Sequence, residues 1–248
     1  MRYLILSDVH SNLEALEKCL ELAESKYDQV LCLGDLVGYG PDPNPVISRI
    51  RPLARVIVRG NHDKACCGLT DTETFNALAR MATDWTRTRL TPENFEFLRG
   101  LPNGPVQVDG IELVHGSPVD EDEYIFDSLD AAQAFRLANA PLIFFGHSHH
   151  QGGFLLTADN RLQPILLSPI NDDEPVRLSL EAGARYLINP GSVGQPRDGD
   201  WRAGFAILAR NQNCVDFYRT PYNLEKTQEK MRKEGLPEPL VTRLEVGR

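Results

Sequence analysis

Tyr3-Leu4-Ile5-Leu6-Ser7-Asp8-Val9-His10 decides how this chain is read: a short apolar run stops at a polar group in which a carboxylate and an imidazole stand two positions apart. The run is too brief for a helix and too uniformly apolar for a strand with one wet face. It therefore predicts a strand buried on both faces. The same arrangement returns four times. Val30 to Leu33 ends at Gly34-Asp35, Val56 to Val58 at Gly60-Asn61-His62-Asp63, Ile111 to Val114 at His115-Gly116, and Leu142 to Phe145 at Gly146-His147-Ser148-His149. Between the first two runs Leu13, Leu16, Leu20 and Ala23 recur at helical spacing, with Ser11 and Glu14 in capping-box positions. Asp42-Pro43-Asn44-Pro45 opens another helix through Ile50. Strand and helix in alternation predict a layered α/β domain, whose ligands gather beyond the carboxyl ends of the strands. The polar groups occupy those ends.

Thr74 to Leu90 and Pro92 to Arg99 read as helices with Phe75, Leu78, Met81, Trp85, Phe95 and Leu98 on apolar faces. Within residues 66–102 they predict a helical cap beside the site, the aromatic stripe itself reading as core. After His149 short alternating segments follow, at Phe154 to Leu156, Arg161 to Leu166, Val176 to Leu180, Arg185 to Ile188, Gly204 to Leu208 and Val215 to Tyr218. They predict a second, mostly antiparallel sheet over residues 151–220. Ser168 to Glu174 reads as an exposed turn and Leu224 to Glu234 as a polar helix. Residues 1–248 fit a single domain.

A net charge of −9 disfavours nucleic acid as a partner, since attachment to phosphate backbones needs a basic face. No apolar stretch nears the roughly 18 residues that span a bilayer, which excludes membrane insertion. The first residues enter a strand at once, without the basic and apolar regions of a signal peptide. Five cysteines, an odd number lacking C-x-x-C spacing, argue against a disulfide framework and for a reducing, cytoplasmic setting. Cys66 and Cys67 read as packing thiols.

Five of the six histidines fall within the strand-end groups. Asp8 and His10, like His147 and His149, would be aimed to one side by an extended backbone. Gly34 permits close backbone approach, and the two oxygens of Asp35 allow it to bridge two cations. Asn61 offers a neutral amide oxygen that holds a metal without cancelling its charge. Carboxylate, amide and imidazole together suit borderline divalent metals, and the absence of cysteine marks an open catalytic site rather than a closed structural one. His150 falls outside the set, as a supporting or surface residue.

D-x-H, G-D, G-N-H-D, a lone H-G and G-H-x-H, in this order from Asp8 to Asn189-Pro190-Gly191-Ser192, resemble the calcineurin-like metallophosphoesterases. The closing N-P-G-S-V-G-Q-P-R is similar to that of their small bacterial and archaeal phosphodiesterase-like members. The resemblance implies an α/β (α+β) fold, a two-sheet β-sandwich flanked by helices. It implies Asp8, His10, Asp35 and His149 around one metal and Asp35, Asn61, His115 and His147 around another, with Mn, Zn, Fe or Ni as the two divalent ions. The activity implied is hydrolysis of a small phosphomonoester or phosphodiester by direct attack of a metal-bridging hydroxide. His62 would protonate the leaving alkoxide, with Asp63 a candidate to orient it. The chain departs from protein serine/threonine phosphatases and diadenosine tetraphosphate hydrolases, whose G-D is followed by an arginine that grips phosphate. Here Leu36-Val37-Gly38-Tyr39-Gly40 follows, and Arg197 is the candidate replacement. Asp120 to Glu123 reads as an acidic border that repels long polyanions. The alternative is a catalytically silent protein-binding scaffold of the same fold, but none of the gaps that site decay would leave among these residues is present.

Overall fold

The computed structural model describes residues 1–248. Its elements follow in chain order as β1 (Arg2–Leu6), α1 (Leu13–Ala23), β2 (Gln29–Cys32), α2 (Pro43–Ile50), β3 (Ala54–Ile57), α3 (Asn61–Cys66), α4 (Ala77–Arg89), α5 (Pro92–Arg99), β4 (Val106–Val108) and β5 (Ile111–Leu113). They continue as α6 (Ser128–Leu137), β6 (Leu142–Phe144), β7 (Gly152–Leu156), β8 (Leu162–Ile165), β9 (Val176–Ser179), β10 (Arg185–Asn189), β11 (Ala203–Ala209), β12 (Cys214–Thr220), α7 (Leu224–Lys233) and α8 (Glu238–Thr242). Two six-stranded mixed sheets form, in the orders β3-β2-β1-β11-β12-β9 and β4-β5-β6-β10-β7-β8.

Alternation along β1 shows why the sheets stack. Tyr3 and Ile5 point into a core shared with Leu113, Phe144, Ile188 and Phe217, which lies between the sheets. Leu4 and Leu6 point the other way, against α1 and α2. Both faces are dry, as the continuous apolar run predicts, and each fully buried Leu or Ile contributes roughly 1.5–3 kcal/mol. On the far side of the second sheet α6 covers Ile143, Phe145 and Leu187. The result is a two-sheet sandwich flanked by helices.

One expectation is corrected here. Residues 151–220 do not make a sheet of their own: β7, β8 and β10 extend the second sheet, while β9, β11 and β12 complete the first. β10 also runs parallel to β6, and β11 lies antiparallel against β1. Both β1 and β6 are apolar on both faces and need partners on either edge, which the late strands provide.

Helix ends differ in detail. α1 is capped by Asn12, whose Oδ1 accepts from the Ala15 N–H at 3.1 Å, and not by Ser11. Glu14 pairs instead with Lys226 and Lys230, tying α7 to α1. The expected cap helices exist, but α4 packs with α7 and α8 while Phe95, Phe97 and Leu98 of α5 join the core beside α1 and α2. Met81 lies in the open, 55% exposed. The segment ahead of α4 and Ala79 on the first turn of α4 border the site.

Candidate metal centre and its cleft

β1, β2 and β3 are mutually parallel in one sheet, as are β5 and β6 in the other, and their carboxyl ends converge. Asp8, His10, Asp35 and His149 form one buried cluster and Asp35, His115 and His147 a second, the ligand-type atoms of each lying within 4.8 Å of one another. Asp35 belongs to both. Asn61 joins the second, its Oδ1 3.2 Å from His115 Nε2.

The chain reaches this arrangement by a route the sequence reading does not anticipate. Asp8 (φ 53°), His10 (φ 46°), Asp35 (φ 51°), His147 (φ 64°) and His149 (φ 58°) are left-handed, not extended. Each strand end must curl sharply to aim its side chains at one point, at a cost on the order of 1 kcal/mol or more per non-glycine residue. Backbone hydrogen bonds hold the curls: Asp8 N–H donates to Gly34 O (3.0 Å) and His10 N–H to Asp35 O (2.9 Å). At Gly34 itself φ is +96°, and a Cβ would fall 2.5 Å from Gly60 N, so no other residue fits.

Three imidazoles are braced alike. Nδ1–H of His10 donates to Val37 O (3.1 Å), of His115 to Leu33 O (2.8 Å) and of His149 to Gln195 O (2.5 Å). Such bracing leaves Nε2 with its lone pair turned inward. The Nε2 atoms of His10 and His149 are 3.1 Å apart, a contact between two lone pairs that only a positive charge makes favourable. Asp8 Oδ2 accepts from Ser7 Oγ (2.6 Å) and His147 N–H (3.2 Å), and Asp35 Oδ1 from His62 N–H (2.8 Å). Their other oxygens, Asp8 Oδ1 and Asp35 Oδ2, are buried without a hydrogen-bond donor. Asp35 Oδ2 lies 3.5 Å from His10 Nε2 and 3.4 Å from His115 Nε2. One oxygen of Asp35, rather than two, thus faces both clusters. Buried acceptors without donors, opposed by imidazole lone pairs, fit divalent cations.

The titration of these groups carries the same signature. Burial penalises both carboxylates, yet His149 beside Asp8, and His115 with His62 around Asp35, hold them below the usual range. Burial also disfavours a charged His115, but Asp35 outweighs it and pushes that imidazole up to about 10. Desolvation lowers His10 and His149, and takes His147 to about 3. A proton on His115 stands where a cation would balance the two carboxylates.

His62 lies on the first turn of α3 and lines a cleft of about 410 Å³, with Asn61 and His147 also on its wall. Burial lowers its pKa to about 4, so the ring is neutral at pH 7 rather than titrating near it as the sequence reading expects. Asp63 does not orient it. The Asp63 carboxylate accepts from the Gly60 and Val37 N–H groups, capping α3, and burial pushes it up to about 7. Arg197 lies 5.5 Å over the Tyr39 ring, which in turn is 4.4 Å from His62. Its Nη2 donates to Gln195 Oε1, and its Nε is buried without an acceptor. Within the acidic run, Glu121 pairs with Arg59 and Lys64 and Asp122 with Lys64, while Asp120 and Glu123 have no cationic partner. Cys66 and Cys67 are buried and unpaired with any disulfide partner, burial raising both thiols: they pack the core.

Four residues at the site escape the sequence reading. Tyr39 and Tyr124 carry no motif, Phe75 reads as core yet stands 5.0 Å from the His62 ring, and Arg243 reaches the Tyr39 ring (5.8 Å) only because the C-terminal helices fold back. No helix is long and apolar enough to cross a membrane.

Residues 1–213 match the model of the calcineurin-like phosphoesterase superfamily domain. An uncharacterized protein of Methanocaldococcus jannaschii is 35% identical, with 98% of this chain and 97% of that protein covered. The crystal structure of a metallophosphoesterase from Sphaerobacter thermophilus superposes with a TM-score of 0.85 at 44% identity, over 100% of this chain and 99% of that one. A hypothetical protein of Pyrococcus horikoshii shares the fold, with a TM-score of 0.78 at 22% identity over 100% and 98% of the two chains. With seven motif residues gathered at the tops of two sheets and a family model matching most of its length, the chain belongs to the calcineurin-like phosphoesterase superfamily.

Proposed function

We propose that the chain hydrolyses small phosphoesters at a centre of two divalent ions, Mn, Zn, Fe or Ni, held by Asp8, His10, Asp35 and His149 on one side and Asp35, Asn61, His115 and His147 on the other. The observation that carries this reading is the pair of partnerless carboxylate oxygens, Asp8 Oδ1 and Asp35 Oδ2, buried against imidazole Nε2 atoms. Bound there, the cations would supply an activated water and neutralise phosphoryl oxygens. The remaining work belongs to the chain. Val37, Leu33 and Gln195 fix the imidazole tautomers through their carbonyls. His62 holds a proton on a neutral ring at the cleft, and the negative charge of a bound phosphate raises its pKa toward that of a useful acid for the departing alkoxide. Arg197, which has no carboxylate partner, steadies phosphoryl oxygens in place of the arginine absent after Asp35. The net charge of −9 and the narrow cleft favour a small substrate over nucleic acid. Five buried free cysteines support a cytoplasmic location.

Metal analysis of the purified protein should give near two equivalents per chain, with manganese-stimulated hydrolysis of a chromogenic phosphodiester. Neither uptake nor turnover would return the chain to the scaffold reading.

A further inference from the structure

Behind the candidate metal centre, away from every ligand candidate, a charged side chain is sealed into the fold. Arg219 on β12 is 3% exposed, and its guanidinium reaches three different segments. Its Nε–H donates to Gln151 Oε1 (2.9 Å), Nη1–H to Arg202 O (3.0 Å) and Nη2–H to Asp198 Oδ2. The same Asp198 oxygen accepts the Gln151 N–H (3.0 Å). Gln151 in turn donates its amide hydrogens to Pro190 O (2.9 Å) and Tyr218 O (3.1 Å).

Stability alone does not call for this arrangement. Taking a guanidinium and a carboxylate out of water offsets most of their attraction, and apolar side chains of similar volume often hold a fold as well. The pairing is also incomplete, since Asp198 Oδ1 is buried without a donor. What the network fixes is the surroundings of His149. Arg197, next to Asp198, donates its N–H to His149 O (3.3 Å), and Gln195 O accepts from His149 Nδ1. On the other side Gln151 follows His149 by two residues. His149 is therefore gripped by ring and backbone, and both arms of the grip end on Arg219. It needs one. His149 is left-handed, at φ 58°, a conformation that persists only where the surroundings enforce it. Its Nε2 also faces that of His10 at 3.1 Å, so the two lone pairs repel until a cation lies between them.

Resting on the phosphoesterase reading, we propose that Arg219 is a positioning residue of the metal centre: through Asp198 and Gln151 it holds His149 in its left-handed turn, so that Asp8, His10, Asp35 and His149 are aimed before an ion arrives. Arg219 itself touches neither ion nor substrate.

Two variants separate this role from support of the fold. Arg219→Met combined with Asp198→Leu replaces the pair by apolar side chains and leaves no charge buried, while Asp198→Asn keeps an acceptor for the Gln151 N–H and removes the ion pair. With manganese as the probe, one of the two equivalents should bind about 10- to 100-fold more weakly in both variants, the usual effect of losing an outer partner of a metal ligand, the double variant showing the larger change. The other equivalent should keep its affinity, and the denaturation midpoint should stay near that of the unsubstituted protein. Added to Asn61→Ala, each variant should weaken the equivalent that Asn61→Ala leaves alone. On metal-free protein, hydrogen exchange over residues 147–151 and 192–197 should quicken about tenfold while α6 exchanges as before. Unchanged affinity with unchanged exchange overturns the proposal, as does equal weakening of both ions in step with a lowered midpoint, which would make Arg219 a support of the fold alone. Exchange quickened around His149 in a protein that takes up no metal, substituted or not, would sink the phosphoesterase reading and leave the grip on His149 standing.

Discussion

The two halves of the candidate metal centre offer the same ligand chemistry and differ in access. Asp8, His10, Asp35 and His149 are at most 2% exposed, and the ring centroids of Tyr39 and His10 are 4.8 Å apart at a steep angle. The other half opens on the cleft: Asn61 is half-buried, and His147, though only 5% exposed, lines the cavity. The loop of Ser192 to Gln195 makes the difference, donating Gly194 N–H to Asp8 O and placing Gln195 O against His149. No such loop covers Asn61. On the function proposed above, the enclosed half would fix an ion and the open half would share one with substrate.

Replacing the residue common to both halves tests the comparison hardest. Asp35→Ala should abolish binding of both ions and lower turnover by about four orders of magnitude, the several kcal/mol that activated water and charge neutralisation supply. Metal analysis showing one ion retained would mean that the halves do not share Asp35. His62→Ala should keep both ions and lose about 100- to 1,000-fold in turnover, most on substrates with poor leaving groups. Loss of metal in that variant would make His62 a ligand. Next comes the asymmetry itself: under a chelator one equivalent should leave well before the other, and Asn61→Ala should weaken only the faster-leaving ion, by about 10- to 100-fold. Simultaneous release would erase the distinction between closed and open halves.

The smallest effect concerns the helices behind the enclosed half. Glu14, held by Lys226 and Lys230, anchors α7 to α1. Burial raises its pKa, but the hydrogen bonds from Lys230 and Lys226 outweigh burial and leave it below the ordinary value. A carboxyl lowered on folding contributes stability above its unfolded pKa, and that contribution disappears as pH falls through the folded one. Glu14→Gln should therefore cost about 0.2–1 kcal/mol near neutrality, with the deficit closing in acid below about pH 4. Asp42 shares Lys230 but is shifted upward by burial, so the measurement is the difference in denaturation midpoint between the two proteins at each pH. A deficit that persists in acid would show that packing, not charge, ties α7 down.

The candidate metal set is legible in the chain because each of its residues follows an apolar run, and such runs bury themselves as strands whatever their neighbours. Asp8, His10, Asp35, Asn61, His115, His147 and His149 could thus be placed at strand ends, with Asn61 and His62 adjacent, although the helix α3 that begins at Asn61 could not. The left-handed turns at Asp8 and His147 could not, since an extended D-x-H and a curled one have the same spelling. Nor could the capping role of Asp63, which depends on how closely Gly60 approaches Val37.

Local composition alone therefore marked most of the strands, the helices α1, α2, α5 and α7, and the side chains offered as candidate ligands, because periodicity and turn chemistry act over a few residues, whereas α3, α6, α8 and β4 carry no pattern that the sequence reading recognised. Tertiary structure decided the rest. It divided residues 151–220 between two sheets, chose Asn12 rather than Ser11 as a cap, brought Tyr39, Phe75 and Tyr124 to one cleft, and set Arg243 over the Tyr39 ring. The reason is range: the late partners of β1 and β6 lie far along the chain, Leu208 opposite Tyr3 and Tyr186 opposite Leu142, and no short pattern encodes which distant face will be free to meet them.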